Sequence, residues 1–325
     1  MRRLRDFSRL VKIGIVGTNA LTALAGFTLA AVGAKLPCPW DKAALLLTGT
    51  SLLVGGSCAI NNWMDRDLDA RMKRTKERPT ARGAMSAAQA LGIGAGLAAA
   101  GLALLLAAGI VAAALGLVGA LIYLFAYTLW AKRHGSFSLY IGGMAGSVPP
   151  LIGWAVIDPR LGGPAWLLFA FLALWQQAHV RSLALMRADE YGSAGIPMAG
   201  LSPLISKGAP LISKGAPLIS KGAPLISKGA PLISKGAPSE GLGSKIVVLA
   251  WVTIALPLPS LAIALAGLPF SGAPLAVAAG SCALNAAWVV SGLAGLRSPS
   301  WPRRMFAASL AYLILVFGGL VVVGA

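Results

Sequence analysis

Acidic residues are scarce in this chain of 325 residues, with 10 Asp and Glu against 28 Lys and Arg. Charge of either sign is thin, at 12% of the sequence. That excludes an ordinary water-soluble domain with a solvated polar surface. Cysteine is almost missing: Cys38, Cys58 and Cys282 are scattered and show no metal-ligand spacing. A disulfide from Cys38 stays open, and a buried inert thiol is the expected state of each. What is present in excess is apolar. The hydrophobic share is 57% and the mean hydropathy is +0.77, which places the chain among multi-span membrane proteins.

The expected fold class is all-α, a polytopic bundle of about nine transmembrane helices. The spans are drawn at 11–34, 43–63, 85–108, 110–130, 138–157, 163–183, 245–267, 270–294 and 305–324. Helices are required because lipid offers no partner to an unpaired backbone group. Met1 to Ala34 starts like a signal peptide. Its apolar stretch is too long for one and eight more spans follow, so it is taken as the first crossing. With the N-terminus inside, 25 of the 28 Lys and Arg fall on the inner side, and only Lys35, Lys42 and Arg160 fall outside. The positive-inside rule thus sets a cytoplasmic N-terminus, an outer C-terminus and a cell (plasma or inner) membrane location. It also accounts for most of the net charge of +18 through lipid headgroups and phosphate ligands, with no need for nucleic acid.

Three of the ten acids are packed into Asn61-Asn-Trp-Met-Asp65-Arg-Asp67-Leu-Asp69, directly after an apolar run. Asn61, Asp65 and Asp69 fall at i, i+4 and i+8, so on a helix they fan over roughly 80° and rise about 12 Å. Asp67 lies about 200° round from Asp65 and is expected to face solvent. Arg71, Lys73, Arg74 and Arg78 follow at once. Carboxylates beside cations at the mouth of a membrane helix suit a diphosphate held through magnesium.

More polar groups gather on the same side. Lys132 and Arg133 close the fourth span, and Gly142-Gly-Met-Ala-Gly-Ser-Val-Pro-Pro150 lies in the fifth. There, small residues permit close helix approach and Pro149-Pro150 imposes a kink or break. The sixth span ends in Gln176, Gln177, His179 and Arg181, followed by Asp189, Glu190 and Tyr191. Unpaired polar groups are costly in lipid, so those of the sixth span are expected to face a cavity. Residues 203–237 are five copies of Pro-Leu-Ile-Ser-Lys-Gly-Ala. Proline in every copy breaks a coiled coil, and Leu and Ile alone are too little for a solenoid core. The organisation expected is therefore 1–200 as helices one to six, 201–244 as a flexible basic loop, and 245–325 as helices seven to nine.

Asn61-xxx-Asp65-xxx-Asp69 with Met72-Lys-Arg74-Thr-xx-Arg78-Pro79 resembles the first aspartate-rich motif of the UbiA-type membrane prenyltransferases. Tyr127-Thr-Leu-Trp-Ala-Lys132-Arg133, the Gly142 to Trp154 block and Glu190-Tyr191-xx-Ala194-Gly-Ile-Pro-Met198 are similar to the protoheme IX farnesyltransferases, or heme O synthases. The resemblance implies a bundle with a central cavity, farnesyl diphosphate as donor, heme b as acceptor and Mg2+ as cofactor. By matching position it implies that Asn61, Asp65 and Asp69 hold the diphosphate through the metal, with Glu190 and its helper Asp189 at a second metal. Arg74, Arg78, Lys132 and Arg133 would contact phosphate, while His179, Tyr191 and Arg181 would meet the acceptor. Downstream heme-modifying or oxidase-assembly proteins are the partners it implies. The chain departs from the pattern at Ala178, Val180, Arg181 and Ser138 and lacks the Leu-Pro-Val expected after Met198, changes that fall more on the acceptor side than on the diphosphate side. A quinone precursor or another aromatic ring is the alternative acceptor. A non-catalytic heme or lipid carrier is the alternative of another class, disfavoured because Asp65, Asp69 and Glu190 are all retained.

Overall fold

Every described element is a helix, as a chain with so little polar surface requires. The computed structural model describes residues 2–132, 138–188, 190, 242–255, 257–267 and 272–324. The repeat at 203–237, Arg133, Asp189 and Tyr191 lie outside the described residues. In chain order the elements begin with α1 (Arg2–Val11), α2 (Ile13–Gly33), α3 (Trp40–Met64) and the short α4 (Arg66–Arg71). Next come α5 (Ala87–Ala108), α6 (Ile110–Leu121) and the π-helical α7 (Ile122–Ala131). These are followed by α8 (Ser138–Gly146), α9 (Pro149–Ile157) and α10 (Gly163–Met186). The chain closes with α11 (Leu242–Ala255), α12 (Leu258–Leu265), α13 (Gly272–Ala294) and α14 (Trp301–Gly324).

Among the described residues, eight helical stretches are long and apolar enough to cross a membrane. They coincide with eight of the nine expected spans. The remaining one, at 163–183, is present as α10, but Gln176, Gln177, His179 and Arg181 dilute its apolar character. It is screened instead by its neighbours: Leu168, Phe171, Leu172, Trp175 and Ala178 are all buried. The division between the third and fourth spans and the break before Pro149 are both present, since Gly109 separates α5 from α6 and Ser147-Val148 separates α8 from α9. Among the cysteines Cys58 is buried, whereas Cys38 and Cys282 are half-buried.

Two apolar cores meet along α2 and α9. One joins them to α10 and the last four helices, the other to α3, α5 and α6. Small residues set how closely these helices approach. A Cβ at Gly153 of α9 would stand 1.8 Å from the Ala23 carbonyl oxygen on α2, and one at Gly26 would stand 2.1 Å from that of Pro150. On α3 and α5, Gly49 and Gly56 face Gly101 and Gly94 in the same way. Each pair is seven residues apart, two turns, which keeps one seam in contact along both helices.

Candidate active site

The two cores leave a cavity of about 690 Å³ between them. Its polar end is built where α3 runs out of apolar sequence. Helix α3 stops at Met64, yet the Asp65 amide still donates to the Asn61 carbonyl at 2.9 Å and the Asp69 amide to that of Asp65 at 2.8 Å. The helical register thus survives the break, and Asn61, Asp65 and Asp69 all line the cavity. Each carboxylate is 1% exposed. Asp65 Oδ2 accepts from Asn61 Nδ2 at 2.9 Å and from Lys132 Nζ at 2.6 Å. Asp69 Oδ2 accepts from Arg78 at 2.6 Å. The other oxygen of each, Oδ1, is buried with no hydrogen-bond partner among the described residues. Asp67 is 78% exposed and pairs loosely with Arg66, as its place round the helix requires.

The opposite wall comes from α7. Its i→i+5 turn stacks Tyr123, Thr128 and Lys132 along one side, and such π segments are frequent at functional sites. Thr128 accepts the second Asn61 Nδ2 proton at 2.9 Å and donates to the Tyr123 carbonyl at 2.8 Å. Lys12, just ahead of the first span, donates to Asn61 Oδ1 and to the Tyr123 hydroxyl. Both partners are neutral, so burial pulls the Lys12 ammonium down to about 8. Lys12, Tyr123 and Thr128 were not legible as site residues. The only signals were a lysine at the membrane edge and hydroxyls inside an apolar run.

The loop 72–86 carries Arg74 and Arg78 to the same wall. Thr75 donates to the Asp69 carbonyl at 3.0 Å and Thr80 to that of Asn62 at 2.9 Å, which fixes the loop against α3 and α4. Glu190 accepts from the Arg74 amide at 2.7 Å and lies 3.7 Å from Arg187, so the second acidic segment docks onto the first. Glu190 is not among the cavity-lining residues. Among the described residues no three His, Cys, Asp or Glu side chains converge into a metal cage.

Away from this polar end the cavity wall is mainly apolar and aromatic, interrupted by Asn19, Thr22, Thr50 and Ser57. His179 lines it, stacked between Trp175 and Phe306 with ring centroids 4.7 and 4.6 Å away. Its Nδ1 meets Ser309 Oγ at 2.7 Å. Gln176 lines the cavity too, and its amide fills the space that a Cβ at Gly146 would occupy. Two polar groups of α10 turn elsewhere. Gln177 donates to the Leu139 carbonyl at 3.3 Å, and Arg181 donates to the Tyr140 hydroxyl at 2.7 Å with its guanidinium over that ring. They share a helix with His179 but not its face.

The profile of the UbiA prenyltransferase family matches residues 19–213, more than half of the chain. The chain belongs to the UbiA prenyltransferase family. Within that family it is 36% identical to the protoheme IX farnesyltransferase of Geobacillus kaustophilus (strain HTA426), over 98% of this chain and 90% of that protein. It is 35% identical to the enzyme of the same name from Bacillus mycoides (strain KBAB4), over 99% and 92%. Solved structures share the fold. A UbiA homologue from Aeropyrum pernix K1 superposes with a TM-score of 0.67 at 19% identity, over 93% of this chain and 97% of that one. One from Archaeoglobus fulgidus bound to GPP and Mg2+ gives 0.62 at 13%, over 97% and 99%. The chain is thus a multi-pass membrane enzyme of the UbiA family, similar over nearly its full length to protoheme IX farnesyltransferases.

Proposed function

We propose that this enzyme transfers a farnesyl group from farnesyl diphosphate to a vinyl group of heme b, giving heme O. The reading is carried by one observation: paired carboxylates and cations crowd one end of a cavity whose remaining wall is mainly apolar and aromatic. An allylic diphosphate has the same two-ended character. The names of the curated relatives support heme b as acceptor, and the homologue holding GPP and Mg2+ supports the donor class.

The orphan Oδ1 atoms of Asp65 and Asp69 fit a divalent cation, since magnesium is held by one or two carboxylates with phosphate oxygens and water supplying the rest. When bound, Mg2+ neutralises the departing diphosphate. Glu190 and Asp189 are assigned to a second metal. Arg74, Arg78, Lys12, Lys132 and Arg133 take phosphate oxygens, and Asn61, held by Lys12 and Thr128, keeps Asp65 in place. Cleavage of the allylic C–O bond sends the electron pair to the diphosphate, and the apolar chamber excludes water from the farnesyl cation. The vinyl carbon then bonds to that cation. Water adds to the resulting porphyrin cation and releases a proton, leaving a hydroxyethylfarnesyl group. His179 and Tyr191 are assigned to the acceptor, and Arg181 could join them only by leaving Tyr140. Arg181, held on Tyr140 outside the cavity wall, is what favours a quinone precursor as second reading.

The assignment extends to place and organisation. The N-terminus lies in the cytoplasm, the C-terminus outside the plasma membrane, and heme-modifying or oxidase-assembly proteins take the product. Residues 1–200 are assigned the site and 201–244 the connection between the two sets of helices, although 242–244 already belong to α11, and 245–325 complete the bundle. Deleting the five repeats at 203–237 is expected to leave activity within about twofold, as surface insertions cost little. A variant stable in membranes yet inactive contradicts that. Lys12→Met is expected to raise KM for the donor at least about tenfold, the scale of one hydrogen bond to a charged group. The acceptor is tested by incubating purified enzyme with Mg2+, farnesyl diphosphate and either heme b or a quinone precursor. A farnesylated porphyrin detected by mass is the expected result. Turnover of the quinone precursor alone contradicts heme b.

A further inference from the structure

Helix α1 has no part in the chemistry above, yet it is tied to the loop that does. It reads Arg2-Arg-Leu-Arg-Asp-Phe-Ser-Arg-Leu-Val11 and leaves the axis of α2 at Lys12, whose φ of 55° ends any continuous helix. One side is fastened to the protein. Leu10 is fully buried, its carbonyl accepts from Asn62 Nδ2 at 2.6 Å, and Asp6 pairs with Arg82 at 2.6 Å. Arg9 adds a longer bond to the Glu77 carbonyl at 3.4 Å. The other side is bare. Leu4 is 74% and Phe7 42% exposed, three positions apart and so within about 60° of each other. Arg5 occupies the adjoining arc and is exposed, and Arg9, also exposed, lies beyond it toward the Glu77 tie.

Two apolar side chains flanked by arginines, on a short helix beside the inner end of a membrane span, match the interface of an anionic bilayer. The apolar pair suits the acyl boundary and the guanidiniums suit lipid phosphates. We propose that α1 is an interfacial helix that binds anionic lipid headgroups, and that its ties to Arg82 and Glu77 make the Arg74–Arg78 loop sense that contact. Lipid engagement holds α1 down, α1 holds the loop, and the loop presents Arg74 and Arg78 to the cavity. The second half rests on the proposed prenyl transfer, the first half does not.

The test uses the full chain with Cys38, Cys58 and Cys282 changed to alanine and a nitroxide on Phe7→Cys. It is reconstituted in phosphatidylcholine vesicles with or without one third phosphatidylglycerol. With the anionic lipid, the nitroxide is expected to be relaxed by oxygen more than by a water-soluble nickel complex. In pure phosphatidylcholine that preference is expected to fall, and Arg5→Gln, which leaves the ties of Asp6 and Arg9 in place, should shrink the difference between bilayers. A label equally open to nickel in both vesicles, or equally buried in both, overturns the proposal. The coupling is read separately as KM for farnesyl diphosphate. It is expected to be about fivefold lower with the anionic lipid, the factor one arginine near such a surface supplies. Asp6→Asn should lose that dependence while its label stays buried. An unchanged lipid dependence in Asp6→Asn overturns the coupling alone. If no acceptor is farnesylated in any bilayer, prenyl transfer fails and the label result still decides the lipid contact.

Discussion

Asp65→Asn is expected to lower kcat by at least about 100-fold while the protein still folds, the loss typical of removing one preorganised electrostatic partner of a transition state. The substitution keeps the size of the side chain. It removes the charge that answers Lys132 at 2.6 Å and replaces one of the two carboxylate oxygens by an amide nitrogen, so the pair that leaves Oδ1 free for a cation is lost. Both effects act where negative charge builds on the leaving diphosphate. A thermal melt on the same preparation separates catalysis from stability, because a buried cation left without its anion also destabilises. Asp67→Asn is the matched control. Asp67 is two residues away, exposed and only loosely paired, so its loss should change kcat less than twofold. Asp65→Asn retaining more than a tenth of the activity would mean that this carboxylate does not hold the metal.

A larger structural effect is expected from Gly153→Leu. At Gly153 even a Cβ would come within 1.8 Å of the Ala23 carbonyl oxygen. That neighbour is backbone inside a helix and cannot turn aside. The reciprocal contact, Gly26 against the Pro150 carbonyl, holds the same crossing. Accommodating a side chain therefore means separating α2 from α9, where the two apolar cores meet. Overpacking ordinarily costs about 1–3 kcal/mol, and this site should exceed that range. Heated, detergent-solubilised Gly153→Leu should lose its monodisperse peak well below the wild-type temperature. Gly17→Ala is the control, since nothing lies within 4 Å of its Cβ position. It should be neutral or slightly stabilised, because alanine favours the helix. Equal melting of Gly153→Leu and wild type would show that the crossing bears no load.

The helices and one wall of the site were readable because they are local. Apolar run length gives the spans, and the i, i+4, i+8 spacing places Asn61, Asp65 and Asp69 on one arc whichever way the bundle packs. The break after Met64 does not disturb that arc, since the backbone bonds bridge it. What sequence hides are contacts between distant segments. Lys12 reaches Asn61 across 49 positions, and Ser309 reaches His179 across 130. No periodicity encodes either. The π turn of α7 is equally silent in an apolar run, yet it brings Thr128 and Lys132 to the same side. Polarity alone also overstates the cavity. Gln177 and Arg181 stand near His179 in sequence, but a step of 100° per residue sends them to Leu139 and Tyr140.

The central claim is that Asp65 and Asp69 grip the donor's diphosphate through a divalent cation. Calorimetric titration of the purified enzyme with a non-ionising thiolodiphosphate analogue of farnesyl diphosphate, with and without Mg2+, tests it most directly. Binding that requires Mg2+ in the wild type and disappears in Asp65→Asn/Asp69→Asn is the predicted result. Equal affinity with and without Mg2+, unchanged in the double variant, would contradict it.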